Sequence, residues 1–189
     1  MMPTYYTGRG ISQVFEKVVN AREAYVVSPW ISGRYAVELA KAVKEGRAFV
    51  VTSLDSELLR HIAIPRSGLA GIFTILIGIL LITASIAGLA ISILTLILTP
   101  VGIWLIAIGF RMLKRQERPV WISRIRVSPK LGEDGFIHIK LYIADGEAWI
   151  GSANMTPSAV YNNVEVLVPI SRELALEIFN YAWARANPY

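Results

Sequence analysis

Residues 138–154 read HIKLYIADGEAWIGSAN. Ile139, Leu141 and Ile143 alternate with other residues at the period of a strand, and Asp145-Gly146 is a strong two-residue turn signal. The stretch predicts a β-hairpin with arms over Phe136 to Ala144 and Glu147 to Ser152. The other face of its first arm carries His138 and Lys140, which point the same way because residues i and i+2 share a face of a strand. A turn at 145–146 sets Gly151 opposite Lys140 and runs Ser152, Ala153 and Asn154 past His138. An imidazole, an ammonium, a hydroxyl and a carboxamide then converge, and Lys, Ser and Asn can all donate hydrogen bonds. The natural guest is an oxyanion, phosphate above all, with the imidazole as its nucleophile or its proton carrier. Gly151 leaves room for close approach to the backbone. Asp145 sits at the turn and points away, so it reads as a structural residue. The plainer alternative for His138 and Lys140 is a solvated strand face.

Outward from the hairpin, the chain alternates strands and helices. Ser12 to Ala21 is an amphipathic helix with Val14, Phe15, Val18 and Val19 in its apolar stripe. Ala24 to Ser28 reads as a buried strand, Tyr35 to Glu45 as a helix closed by Gly46, and Ala48 to Ser53 as a second strand, a βαβ unit that implies parallel pairing. His61 falls at the end of an apparent helix. Val120 to Val127 predicts a strand, Thr156 to Tyr161 a short helix, Val164 to Ile170 a strand, and Ser171 to Ala186 a closing helix with Ser171 as its cap. The fold class is α/β. Trp30, just past the first strand, lies where α/β folds gather ligand contacts, although core or rim packing is the stronger reading of it.

Between the two halves runs an apolar block. From Ser67 to Phe110 there are 44 residues without Asp, Glu, Lys, Arg or His, enough for two bilayer passes at roughly 20 residues each. Small residues near Thr83 to Gly88 divide it into spans of about 68–86 and 89–110, the second kinked at Pro100. The expectation is three segments: 1–65 and 119–189 as the halves of one globular domain, and 66–118 as a transmembrane helical hairpin. Both halves must join one sheet, so the crossings must be even in number. Arg66, Arg111, Lys114, Arg115 and Arg118 flank the block with only Glu117 as a nearby acid, which puts the globular domain on the cytoplasmic side of a two-pass membrane protein.

The chain of 189 residues carries a net charge of +5, which suits phosphate-bearing partners, nucleic acid or lipid headgroups, and also plain juxtamembrane anchoring, the stronger source of much of the charge. It has no Cys, which excludes disulfides, thiolate metal sites and Cys nucleophiles. The N-terminal MMPTYYTGRGISQVFEKVV has no apolar signal-peptide core.

His138-x-Lys140-x4-Asp145, followed by Gly151-Ser152-x-Asn154 and by Glu165 eleven residues later, resembles the HKD motif of the phospholipase D superfamily. EAYVVSPWISGRYAVELAKAVKEGRAFVVTS is similar to the strand–helix–strand that opens that fold, and the likeness is greatest to the small endonuclease branch with one motif per chain. The resemblance implies a mixed sheet flanked by helices and a set of roles. His138 attacks phosphorus to form a phosphohistidine, and Lys140 and Asn154 hold the nonbridging oxygens. Ser152 and Gly151 line the phosphate site, and Glu165 orients the imidazole. No cofactor or metal is implied. Double displacement wants two histidines and the motif supplies one, so a homodimer with two facing His138 is expected, His61 being read as structural. The implied activity is a metal-independent phosphodiesterase acting on nucleic acid. Hydrolysis or transfer of phospholipid headgroups is the alternative, with membrane lipid as partner, and a noncatalytic phosphate-binding membrane module is the third reading.

Overall fold

The computed structural model describes residues 5–62, 67–88, 98–114 and 119–189. Its elements run α1 (Arg9–Asn20), β1 (Ala24–Val27), α2 (Arg34–Lys44), β2 (Ala48–Ser53), α3 (Glu57–Ile62), α4 (Ser67–Gly88), α5 (Leu98–Lys114), a 3-10 turn (Val120–Arg124), β3 (Ile125–Ser128), β4 (Leu141–Ala144), β5 (Glu147–Gly151), α6 (Pro157–Tyr161), β6 (Leu167–Pro169), α7 (Arg172–Arg185) and β7 (Asn187–Pro188). Two compact units emerge: residues 1–63 with 120–189, and residues 64–119.

The first unit is built on a seven-stranded mixed sheet in the order β6-β5-β4-β1-β2-β3-β7. β1, β2 and β3 are parallel, as the βαβ pattern of β1-α2-β2 requires, while β4, β5, β6 and β7 pair antiparallel to their neighbours. Strand alternation divides the apolar residues between two faces. Val26, Val50, Tyr142 and Trp149 pack with Ile11, Val14, Phe15, Leu39 and Leu58 of α1, α2 and α3. Val27, Val51, Leu141 and Ile143 pack with Ala175, Phe179 and Ala182 of α7. Tyr25 stacks on Phe49 at 5.4 Å between ring centroids, and Trp183 meets Phe49 edge-on. Each large side chain taken from water here stabilises the fold by roughly 1.5–3 kcal/mol.

The register fixes which ends of the strands meet. Val27, the last residue of β1, pairs with Leu141, the first of β4; Leu141 pairs with Ile150 near the end of β5; Gly151 pairs with Leu167, the first of β6. The carboxyl ends of β1, β2 and β5 therefore share one edge of the sheet with the starts of β4 and β6.

Three strand expectations shorten. Residues 120–124 form a 3-10 turn rather than the start of β3, with Val120 exposed and Trp121 packed on the core. Residues 136–140 precede β4 instead of extending it. β6 begins at Leu167, not at 164, because the Ser152 hydroxyl accepts the Val166 N–H at 3.1 Å, and Val164 is fully exposed. The caps behave as their residue types dictate: Thr156 accepts from Ala159 N ahead of Pro157, and Ser171 from Leu174 N.

In the second unit, α4 and α5 pack through glycines. A Cβ on Gly78 would lie 2.7 Å from the Gly102 carbonyl oxygen, one on Gly102 would lie 2.7 Å from that of Gly78, and one on Gly109 would lie 2.8 Å from that of Gly71. Ser85 and Thr99 join by their hydroxyls at 2.7 Å. Pro100 stands in the first turn of α5, and residues 89–97, on which the expected kink also depends, lie outside the described residues. The expected second span, 89–110, falls partly on 89–97, which lie outside the described residues, as do Arg66, Arg115, Glu117 and Arg118.

The two-pass reading is corrected. Among the described residues, no helix is long and apolar enough to cross a membrane. A hairpin crossing needs two such helices. α5 has 17 residues, about 25 Å at the helical rise, against a hydrocarbon core of about 30 Å. With the crossing goes the cytoplasmic placement, which rested on charges flanking two spans.

Candidate functional site

The Asp145-Gly146 turn has positive φ at both residues, 47° and 99°, as a hairpin of this twist demands. The Asp145 carboxylate accepts from the backbone N–H of Arg22 at 3.0 Å and of Glu23 at 3.0 Å, and Asp145 N–H donates to the Glu23 carbonyl at 3.1 Å. Asp145 thus ties the hairpin tip to the start of β1, at the opposite end of the strands from His138.

At the other end, Gly151 N–H donates to the Lys140 carbonyl at 3.1 Å, so these two residues face each other as the turn register requires. The space beside Gly151 is already filled: a Cβ there would lie 1.9 Å from the Val166 carbonyl oxygen. The glycine lets β6 approach β5 and does not open a substrate pocket, which corrects the binding role expected of it.

His138 and Lys140 sit on the segment leading into β4. Ser128, buried at the end of β3, accepts the Ile137 N–H at 2.8 Å and so pins that segment from behind. The Lys140 ammonium donates to the His138 carbonyl at 2.9 Å. Lys140 is only 4% exposed. Burial pushes its pKa below the ordinary 10.5, and the Glu165 carboxylate pushes it back up. The His138 imidazole is exposed to solvent on one side, and its pKa is pushed below the ordinary 6.5, first by partial desolvation and then by the Lys140 charge. Both effects favour the uncharged ring.

Two rings flank that imidazole. Trp30 meets it edge-on, with centroids 5.9 Å apart, and Phe136 lies 5.8 Å away at a tilt. Ser28, at the end of β1, donates to the Trp30 carbonyl at 3.0 Å, accepts the Met155 N–H at 3.2 Å and stands 3.5 Å from Asn154 Oδ1. One buried hydroxyl thereby fixes the Trp30 and Asn154 segments together.

Glu165 precedes β6. Its carboxylate accepts a short hydrogen bond from the Ser152 hydroxyl and one from Asn163 Nδ2 at 3.3 Å. Among the described residues it makes none to the His138 ring, so the structure does not pair the imidazole with the carboxylate expected to orient it. His61 ends α3 with its ring nitrogen 3.4 Å from Glu57.

The sheet edge thus brings His138, Lys140, Asn154, Ser152 and Glu165 onto adjoining segments and leaves Asp145 at the far end. Ser28, Ser128 and Phe136 are site neighbours that sequence reasoning missed. The available signal was a hydroxyl at the carboxyl end of a parallel strand, immediately before proline in both Ser28-Pro29 and Ser128-Pro129.

A family model described as Cardiolipin synthase, PLD-like domain, matches residues 81–184, more than half of the chain, including His138, Lys140, Asp145, Gly151, Ser152, Asn154 and Glu165. No curated protein matches the chain. Among solved structures, it is similar to Nuc from Salmonella typhimurium, described as a phospholipase D family member, at 14% identity over 95% of this chain and 90% of that one, with a TM-score of 0.48. NucT from Helicobacter pylori is similar at 15% identity over the same shares, with a TM-score of 0.47. Polyphosphate kinase from Porphyromonas gingivalis is similar at 13% identity over 97% of this chain and 22% of that one, with a TM-score of 0.45. These likenesses carry neither substrate nor mechanism across. The family match falls on the hairpin and strand starts that gather His138, Lys140, Asn154 and Glu165, and on it the chain belongs to the phospholipase D-like family of the cardiolipin synthase PLD-like domain.

Proposed function

We propose that the chain is a phosphodiesterase that works through a covalent phosphohistidine at His138. The observation that carries this reading is a solvent-facing imidazole whose own backbone carbonyl is held by a buried ammonium, with the Asn154 carboxamide on the adjoining strand end. A ring nitrogen of His138 attacks phosphorus, and the bond from phosphorus to the leaving oxygen breaks. That oxygen takes a proton from a second imidazole, which enters the cycle as imidazolium and is left neutral. Water then attacks phosphorus, the phosphorus–nitrogen bond breaks, and the second imidazole takes the proton of the water. Lys140 and Asn154 hold the nonbridging oxygens as charge builds. Glu165 acts at one remove: it holds Ser152 and favours the charged form of Lys140. The second imidazole is His138 of another copy, in a homodimer that completes the site.

The substrate class we favour is the nucleic-acid phosphodiester, supported by the net charge of +5 and a site open to solvent. The description of the matched family favours a second reading, hydrolysis or transfer of a phosphatidyl group. A noncatalytic phosphate-binding module is the third. The test is turnover of bis(p-nitrophenyl) phosphate, single- and double-stranded DNA, RNA, and cardiolipin or phosphatidylglycerol in mixed micelles. Each is run with EDTA and against His138→Ala. Activity on DNA or RNA that disappears in the variant supports the first reading. Activity confined to the lipid supports the second. No difference from the variant on any substrate removes the enzymatic reading.

A further inference from the structure

The His138 ring nitrogens make no hydrogen bond among the described residues. A free histidine at the end of a strand samples several χ1 wells and a broad χ2, so something other than a hydrogen bond must hold a nucleophile in line with phosphorus. Trp30, Phe136 and His138 form a closed triangle of rings, with centroid separations of 5.9, 5.8 and 6.2 Å. Both partner rings are half-buried and rest on fixed backbone: Trp30 through the Ser28 hydroxyl, Phe136 through the neighbouring Ile137 N–H on Ser128. Edge-to-face and tilted pairs of this kind have a preferred geometry.

We propose that Trp30 and Phe136 are the positioning residues of His138, fixing its rotamer by ring packing and shielding one side from water, in the role expected of Glu165. The proposal rests on His138 being the nucleophile, but its first readout does not. The segment Ser28-Pro29-Trp30-Ile31 carries no charged group. The charges near the ring are Lys140, which acts on it directly, and Glu165, whose carboxylate is engaged by Ser152 and Asn163 and acts on Lys140. Opening the aromatic side to water therefore relieves desolvation without removing a charge.

The chain has two histidines, so the ring protons of His138 are assigned in an NMR titration by comparison with His138→Ala. In the substrate-free protein, Trp30→Ala and Phe136→Ala are expected to move the His138 midpoint upward, towards 6.5, and its ring-proton shift downfield. Trp30→Phe, which keeps a ring, restores most of both. Glu165→Gln leaves the midpoint closer to wild type than either alanine variant does. In turnover, the alanine variants lose about 10- to 100-fold in kcat with KM within about threefold, as misalignment of a reacting group predicts. Leu39→Ala, a core variant remote from the triangle, controls for general destabilisation and moves neither titration nor pH profile. The proposal is overturned if both alanine variants leave the His138 midpoint and ring-proton shift unchanged, or if Glu165→Gln shifts them more than Trp30→Ala does. A shifted titration in a protein that turns over no diester leaves the positioning intact and removes only the proposed activity.

Discussion

At the scale of single residues, the account depends on the ionisation of two groups: the shift at His138 favours the form that attacks, and the shift at Lys140 opposes its charge, which Glu165 partly restores. The attacking His138 must be neutral, and its pKa is pushed below 6.5, so the acid limb rises through a midpoint below that value, while His138 of the other copy must keep a proton to give to the leaving oxygen. Lys140 must be charged to hold an oxyanion, and burial pushes its pKa below 10.5; with the loss of the proton from the donating His138, activity falls as pH rises, through a midpoint below 10.5. A pH–rate profile of kcat/KM on bis(p-nitrophenyl) phosphate should show both limbs. An acid limb centred above 6.5 would contradict the assignment of His138. Lys140→Met should lower kcat by about 10²–10³, the usual cost of removing one oxyanion donor. These residues were legible in the sequence because spacing alone, HxKx4D and GSxN on two arms of a hairpin, puts them on one face. The contact of Glu165 was not. A carboxylate thirteen residues past Ser152 reaches whichever neighbour the start of β6 offers, and Ser152 is nearer to hand than the imidazole.

Elements explain what the motif's remaining members do. Asp145 accepts backbone N–H groups of Arg22 and Glu23 from the far end of the sheet, so Asp145→Ala should cost about 1–3 kcal/mol of stability, as loss of a charged hydrogen-bond acceptor does, and leave kcat within about threefold. Chemical denaturation alongside steady-state kinetics separates the two. Gly151→Ala would put a methyl group 1.9 Å from the Val166 carbonyl oxygen, so β6 must retreat from β5. The variant should lose about 1–3 kcal/mol or more through overpacking, and activity as well, because Ser152 and Glu165 sit on the displaced segments. Helices and the inner strands followed their periodicity closely; β2 matches its expected limits, and α1, α2 and α7 deviate only at their ends. The strands near the site came out shorter than expected because side-chain hydroxyls, Ser128 to Ile137 N and Ser152 to Val166 N, take over backbone bonds that a ladder would make. Alternating hydrophobicity does not distinguish those two ways of satisfying an N–H.

On the scale of the whole molecule, one sheet is assembled from chain segments on either side of residues 64–119. Composition made the apolar insertion plain, but composition does not set helix length, and among the described residues no helix is long and apolar enough to cross a membrane, which ends the two-pass reading. The proposed dimer follows from mechanism: each site needs two histidines, and each chain's motif supplies one. Wild-type protein unfolded, refolded and mixed with increasing fractions of His138→Ala should lose activity as the square of the wild-type fraction if every site uses two His138, and linearly if each chain acts alone. The central claim, that His138 carries the substrate phosphoryl group, is tested most directly by trapping it. Wild-type protein is mixed with bis(p-nitrophenyl) phosphate, quenched in alkali within the first turnover and measured as intact mass and as peptides. The account predicts a p-nitrophenyl phosphoryl adduct on the peptide containing His138, absent in His138→Ala and lost on acidification. Turnover with no adduct at any quench time, or an adduct that persists in His138→Ala, would contradict it.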